Sequence, residues 1–218
     1  MPHYTIVPDY DSFLPESSNE ATTNFDFGDA VIRLSPTLQE VDYFAPANWA
    51  DINSRDVDLG SVGPAILNNG TIFQVGKEGL GYLLNANALG RIGGQEFSAQ
   101  VCSGGAGAYG GTVFAAQFLY VPCSNGVVAL RVNLTSTAHV LFSNVWTGPQ
   151  SNAGPPIIAG NLVWDIDRSS GILYALNEND GSVIFTYQMS NVVRFTTPSS
   201  ADGQIFVAAV DTIVAVVI

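Results

Sequence analysis

The feature that most constrains this chain is an internal repeat. A short apolar run recurs as Ile72-Phe73-Gln74-Val75, Leu119-Tyr120-Val121-Pro122, Leu162-Val163-Trp164-Asp165 and Ile205-Phe206-Val207-Ala208. Measured at Phe73, Tyr120, Val163 and Phe206, the steps are 47, 43 and 43 residues. A second run follows each, as Tyr82-Leu83-Leu84, Val128-Ala129-Leu130, Tyr174-Ala175-Leu176 and Val214-Ala215-Val216. An earlier copy of the first run, Val31-Ile32-Arg33-Leu34, lacks that partner. A period of this length describes one supersecondary unit that cannot bury its apolar face alone and must stack on its neighbours.

Turn chemistry makes the unit β. Glu78-Gly79, Ser124-Asn125-Gly126 and Ser169-Ser170-Gly171 separate the two runs, and Asn179-Asp180-Gly181 leads into an outer run, Val183-Ile184-Phe185-Thr186-Tyr187. Glycine there supplies the positive φ of a tight hairpin. Upstream strands fit Pro64-Ala65-Ile66-Leu67, Gly111-Thr112-Val113-Phe114 and Pro156-Ile157-Ile158-Ala159. Composition agrees: 12% of residues are charged, Gly reaches 22, and Lys77 is the sole lysine. No window repeats apolar residues at helical spacing for three turns, so no long helix is expected.

Four antiparallel strands in about 43 residues is the size of a β-propeller blade. The expected fold is therefore all-β, a β-propeller of four-stranded antiparallel blades, with about four to five blades present as a partial ring. Residues 1–23 are expected as an N-terminal extension or loose segment. A partial blade follows at 24–48, then full blades at about 62–100, 109–145 and 155–190, and a partial blade at 197–218. An open array exposes strand edges, so a protein partner or a second copy is expected to complete the propeller.

Charge narrows the partners. With 19 acidic residues against 7 basic ones the net charge is −12. Seven scattered cations cannot form the basic stripe that a phosphate backbone or an anionic bilayer requires, so neither nucleic acid nor a membrane surface is expected. No segment reaches the roughly 18 apolar residues of a membrane span. Cys102 and Cys123 are the only thiols, and the sequence leaves open a disulfide and two buried free thiols. Asn69-Gly70-Thr71 and Asn133-Leu134-Thr135 match the glycosylation triplet. They suit an extracellular or secreted, periplasm-like setting. The opening Met1-Pro2-His3-Tyr4 has no basic, apolar leader, and the N-terminus reads as a cut.

Two stretches carry a family resemblance. Gly171-Ile172-Leu173-Tyr174-Ala175-Leu176-Asn177, with Gly181 and Phe185 beyond it, resembles the pyrroloquinoline-quinone-like (quinoprotein) blade repeat. Phe185 stands where that repeat has the tryptophan that docks one blade on the next, and Asn177 where it has an aspartate. The stretch Asp56-Val57-Asp58 through Lys77-Glu78-Gly79-Leu80-Gly81-Tyr82 resembles the order in the C-terminal half of quinoprotein alcohol and polyvinyl alcohol dehydrogenases. There a loop bearing Asp precedes a strand, and a Lys or Arg followed by x-Gly-x-x-Tyr reaches the quinone.

The resemblance implies a cofactor, pyrroloquinoline quinone (PQQ), with calcium. It places Lys77 beside the quinone, where a cation stabilises charge developing on oxygen. Asp56 and Asp58, two apart, are the candidate metal ligands, or else cap a turn. Asp26 and Asp58 are the candidate catalytic carboxylates. The family's base falls near Asn24 or Asp26, and an amide cannot serve as a base. The family's adjacent-cysteine disulfide is absent. Elsewhere His3 and His139 lack any nucleophile context, and Gly104-Gly105-Ala106-Gly107-Ala108 has no helix pattern after it to form a phosphate loop. Trp49, Trp146 and Trp164 are expected to pack blades. Two functions follow: an extracellular propeller module for binding or assembly, non-catalytic on its own, or a fragment of a PQQ-dependent alcohol-type dehydrogenase.

Overall fold

The computed structural model describes residues 3–7, 24–68, 70–133, 141–189 and 192–218, with 3–7 as backbone only. It divides into two compact units, Met1–Gln100 with Leu134–Leu141, and Val101–Asn133 with Phe142–Ile218.

The first unit holds two sheets. One runs His3–Val7, Ala30–Leu34, Glu40–Ala45 and Arg91–Ile92 in spatial order, the last pair parallel and the others antiparallel. The other is Ala65–Ile66, Thr71–Val75, Leu80–Asn85 and Phe97–Gln100, antiparallel throughout. Two expectations change here. Residues 3–7 are not loose, because the buried strand Ala30–Leu34 has backbone groups on both edges and His3–Val7 satisfies one of them. The run at 31–34 does have a following strand. It was hidden because Glu40-Val41-Asp42-Tyr43 breaks the apolar pattern and only Phe44 and Ala45 are buried.

The two sheets of this unit bury a shared core. Val31 and Phe44 meet Ile72, Tyr82 and Leu84, with Leu59 and Leu89 completing the cluster. The other face of the first sheet carries Ala30, Ile32 and Ala45 under Phe25, Phe27, Tyr43 and Trp49. That is the two-residue alternation of a strand buried on both sides. The one α-helix among the described residues, Trp49–Ser54, has six residues.

The second unit holds three sheets. Val113–Ala115, Phe118–Cys123, Gly126–Asn133 and Leu141–Thr147 form the first, and Ile157–Ala159, Leu162–Asp167, Ile172–Asn177 and Val183–Gln188 the second. Both are consecutive antiparallel meanders. The third is three-stranded, Ser199–Ala201, Gln204–Ala208 and Ile213–Val217. Strand Leu162–Asp167 shows how sheets stack. Val163 points one way, into a cluster with Tyr120, Val127 and Ala129. Trp164 and Ile166 point the other, onto Ile205 and Val207.

One contact between the first two of these sheets decides their spacing. The Trp146 indole lies over Gly181 and donates from Nε1 to the Glu178 carbonyl at 3.1 Å. Tyr120 donates to the same carbonyl at 3.1 Å. Gly181 has φ of +72°, and a Cβ there would lie 2.6 Å from the ring. The blade-docking tryptophan is thus Trp146. Phe185 instead faces Trp164 of its own sheet, with ring centroids 6.0 Å apart.

Candidate functional site

Sequence reading singled out Lys77 with Asp56 and Asp58, and the structure does bring them together. The loop that carries the aspartates is held from below by Gln74. Its buried amide donates to the carbonyls of Leu59 at 2.8 Å and Val62 at 3.1 Å. Gly76 lets the chains touch, since a Cβ there would sit 2.5 Å from the Asp58 carbonyl oxygen. The backbone N–H of Lys77 donates to that carbonyl at 2.9 Å. Asp29, a buried carboxylate, accepts from the Leu59 N–H at 2.6 Å. Sequence reading passed over Asp29; its position directly before an apolar strand was the signal.

Within this frame Lys77 Nζ lies 2.5 Å from Asp58 Oδ2 and 3.0 Å from Asp56 Oδ1. It also donates to the Asp56 carbonyl at 3.0 Å. Partial burial works against the ammonium, but the bonds to Asp58 and then Asp56 outweigh it and hold the Lys77 pKa above the usual lysine value. The two carboxylates do share a cation, and it is this ammonium.

That arrangement does not fit the implied cofactor chemistry. A lysine engaged by two carboxylates and a carbonyl has no donor reserved for a quinone oxygen, and its charge is already compensated. Nor do the aspartates form a calcium cage, which needs six to eight oxygens. Among the described residues no group of three or more His, Cys, Asp or Glu converges as a metal site. Tyr82 lies in the core beside Phe44, its hydroxyl held above the ordinary tyrosine pKa first by burial and then by Glu78. Asp26 is exposed and accepts from the Gly28 N–H at 3.1 Å.

The remaining candidates fall as follows. Cys102 and Cys123 are joined in a disulfide. Asn133 is exposed at the end of its strand. Asn69 and His139 lie outside the described residues, as do Leu134 and Thr135 of the second triplet. Trp164 is buried, and Trp49 and Trp146 are partly buried against their clusters.

Two features of the second unit were not singled out from sequence. The first is polar. Asp165, fully buried, has no side-chain hydrogen-bond partner among the described residues, and the backbone of Ile166 and Gly154 approaches its carboxylate. Burial drives its pKa well up; the backbone of Ile166 opposes this, the charge of Asp167 adds to it, and the charge of Arg168 and the backbone of Gly154 oppose it. Asp167 goes the other way. Burial works against its charge, but hydrogen bonds from Ser151, Ser169 and Ser170 prevail and lower its pKa. Next to them a cavity of about 400 Å³ is lined by Tyr109, Ser124, Asn152, Arg168, Val192, Val193 and Arg194. The signal was available: Trp164-Asp165-Ile166-Asp167-Arg168 puts charges inside a buried strand.

The second feature is apolar. The third strand of the other two sheets in this unit, Gly126–Asn133 and Ile172–Asn177, is mostly buried. Its counterpart Ile213–Val217 is an edge, with Ile213 74% and Val217 77% exposed. The outer strand Val183–Gln188 is exposed along its whole length.

No family model and no curated protein sequence matches this chain. Solved structures do. The Cps50 (Swd1) β-propeller domain of Myceliophteria thermophila aligns with TM-score 0.63 at 12% identity, over 86% of this chain and 64% of that one. The fold is a β-propeller. The computationally designed proteins Ika8 and Ika4 align with TM-scores of 0.59 and 0.55 at 14% and 13% identity. These cover 86% and 72% of this chain, and 52% and 90% of theirs. The propeller described here thus spans about half the length of Ika8 and under two thirds of the Swd1 domain. No helix among its described residues is long and apolar enough to cross a membrane.

Proposed function

We propose that this propeller is a binding or assembly module, non-catalytic on its own, that joins a protein partner or a second copy through a strand edge. The observation that carries the reading is the edge strand Ile213–Val217. Its sheet has three strands where the other two sheets of its unit have four. Among the described residues one edge of this strand is unpaired, and such a row of N–H and C=O groups flanked by exposed Ile213 and Val217 is a template for strand addition. Natural edges are usually blunted by lysine, proline or a bulge, and Ile213-Val214-Ala215-Val216-Val217 has none of the first two.

An extracellular or secreted setting belongs to the same proposal. It is supported by the Cys102–Cys123 disulfide, a bond that oxidising compartments preserve. The quinoprotein likeness is read as one of blade construction. Gly171–Asn177 and Gly181 serve as strand and turn, and the lysine and aspartates that resemble a cofactor site are spent on one another.

The test pairs sedimentation velocity with the double variant Ile213→Lys, Val217→Lys. The wild-type chain should form a defined oligomer or partner complex, and the two lysines should dissolve it while leaving the β-type circular dichroism intact. A stable monodisperse wild-type monomer, unchanged by the lysines, would overturn the reading.

A further inference from the structure

The cavity of the second unit concentrates positive charge in a chain that has little. Of the seven basic residues, Arg168 and Arg194 both line it. Among the described residues neither has a carboxylate at ion-pair distance; the pairs formed are Arg55–Asp51 and those of Lys77. Arg168 is half-buried, its Nε enclosed without a hydrogen-bond partner among the described residues. One of its terminal nitrogens donates to Asn152 Oδ1, and its guanidinium carbon stands 6.0 Å from the centre of the Tyr109 ring.

The nearby acids Asp165 and Asp167 support this charge without forming an ion pair with it. Asp167 Oδ2 accepts from the Ser151 N–H and hydroxyl at 2.9 Å each, and Oδ1 from the Ser169 N–H at 2.9 Å. Its lone pairs are directed at that loop. Asp165 is sealed inside the sheet. Burial works against the Arg168 cation, the charge of Asp165 supports it, and Arg194 adds like-charge repulsion; on balance its pKa is lowered. Two guanidiniums that repel, and a buried N–H with nothing to donate to, are both relieved by one anion between them.

We infer that this cavity binds a small organic oxyanion, a carboxylate or phosphate head group held by Arg168 and Arg194 with its apolar body against Val192 and Val193. The volume lies within the roughly 300–1,000 Å³ of small-molecule sites. Asn152 positions Arg168, and the Tyr109 ring lines the same side of the pocket. The inference is independent of the strand-edge reading, because it uses other residues and another class of ligand.

The test is an NMR titration of the full chain that follows arginine Nε–H signals, with sodium benzoate and sodium phosphate as separate probes. Sodium chloride at matched ionic strength is the control. The Arg168 and Arg194 signals should move saturably with at least one probe. Benzoate alone assigns a carboxylate head on an apolar body, and phosphate alone assigns a phosphate head. Arg194→Gln, at an exposed position, should weaken binding by about tenfold or more, the worth of one charge-assisted contact. Arg168→Gln should abolish it, and Arg131→Gln, on another strand, should leave it unchanged. Signals that move no more than with chloride, or an affinity untouched by Arg194→Gln, would overturn the inference.

Discussion

Replacing Gly181 by alanine tests the blade contact directly, because two separable costs fall on one Cβ. The first is backbone. At φ of +72° an L residue sits in the left-handed region, at about 1–2 kcal/mol. The second is collision. The new carbon would lie 2.6 Å from Trp146 Cε3 and 2.7 Å from Cδ2, where van der Waals contact needs about 3.5 Å or more. The indole must slide, and its bond to the Glu178 carbonyl weakens, a loss of about 0.5–1.5 kcal/mol. Together the expected destabilisation is about 1.5–3.5 kcal/mol. Gly203 provides the matched control. Its φ is +73° and nothing lies within 4 Å of its Cβ position, so Gly203→Ala should show the backbone cost alone. Urea unfolding followed by tryptophan fluorescence and by circular dichroism measures both. Placing Gly181→Ala in a Trp146→Ala background should return its cost to that of the Gly203 variant. Equal costs for the two single variants, or strict additivity in the double, would refute the argument that the indole contact sets the sheet spacing.

Two further predictions concern titration. The Lys77 pKa is raised above 10.5 in the folded chain, so its contribution is complete below the unfolded value and disappears as pH rises through the folded one. Lys77→Met should cost up to about 1 kcal/mol near neutrality, and that difference should shrink in unfolding experiments above about pH 10.5; a constant difference would sink the ion-pair reading. The Asp165 pKa is also raised, but for a carboxyl this means stability that is complete below about pH 3.8 and falls as pH climbs through the folded value. Relative to wild type, Asp165→Asn should therefore gain stability as pH rises above about 3.8, and a pH-independent offset would show that the acid is not suppressed by burial.

The central blades were legible because their information is local. Leu162–Asp167 and Ile172–Asn177 alternate buried faces, meet at Ser169-Ser170-Gly171, and need no distant partner to be recognised. The Lys77 cluster was legible in its residues but not in its backbone. Asp56 sits in a turn at φ of +54° and Asp58 caps the short helical turn Leu59–Ser61, not an extended segment, and a repeat boundary brings Lys77 back to them. What escaped is long-range. His3–Val7 gains a place only by pairing with Ala30–Leu34, and a two-residue strand at Arg91–Ile92 carries no periodicity at all. Arg168 and Arg194 converge from different segments, which no spacing in the chain announces. The purpose read into Lys77 was likewise set by family likeness, while its partners are set by geometry.

The segment between Leu80–Asn85 and Phe97–Gln100 gives the first unit a different mechanics from a simple string of blades. Before it supplies the outer strand of its own sheet it detours to the neighbour. Arg33 holds it at the Ala86 carbonyl at 2.8 Å, Asp42 takes the Leu89 N–H at 2.7 Å, and Gly93 donates to the Ala45 carbonyl at 2.8 Å. Repeats that touch only side to side can fray one at a time. Here one sheet's margin is written into the other's connection, so neither can open while its companion stays intact. The pair forms a single cooperative block, and amide exchange at Gly93 and across Phe97–Gln100 should report one shared opening.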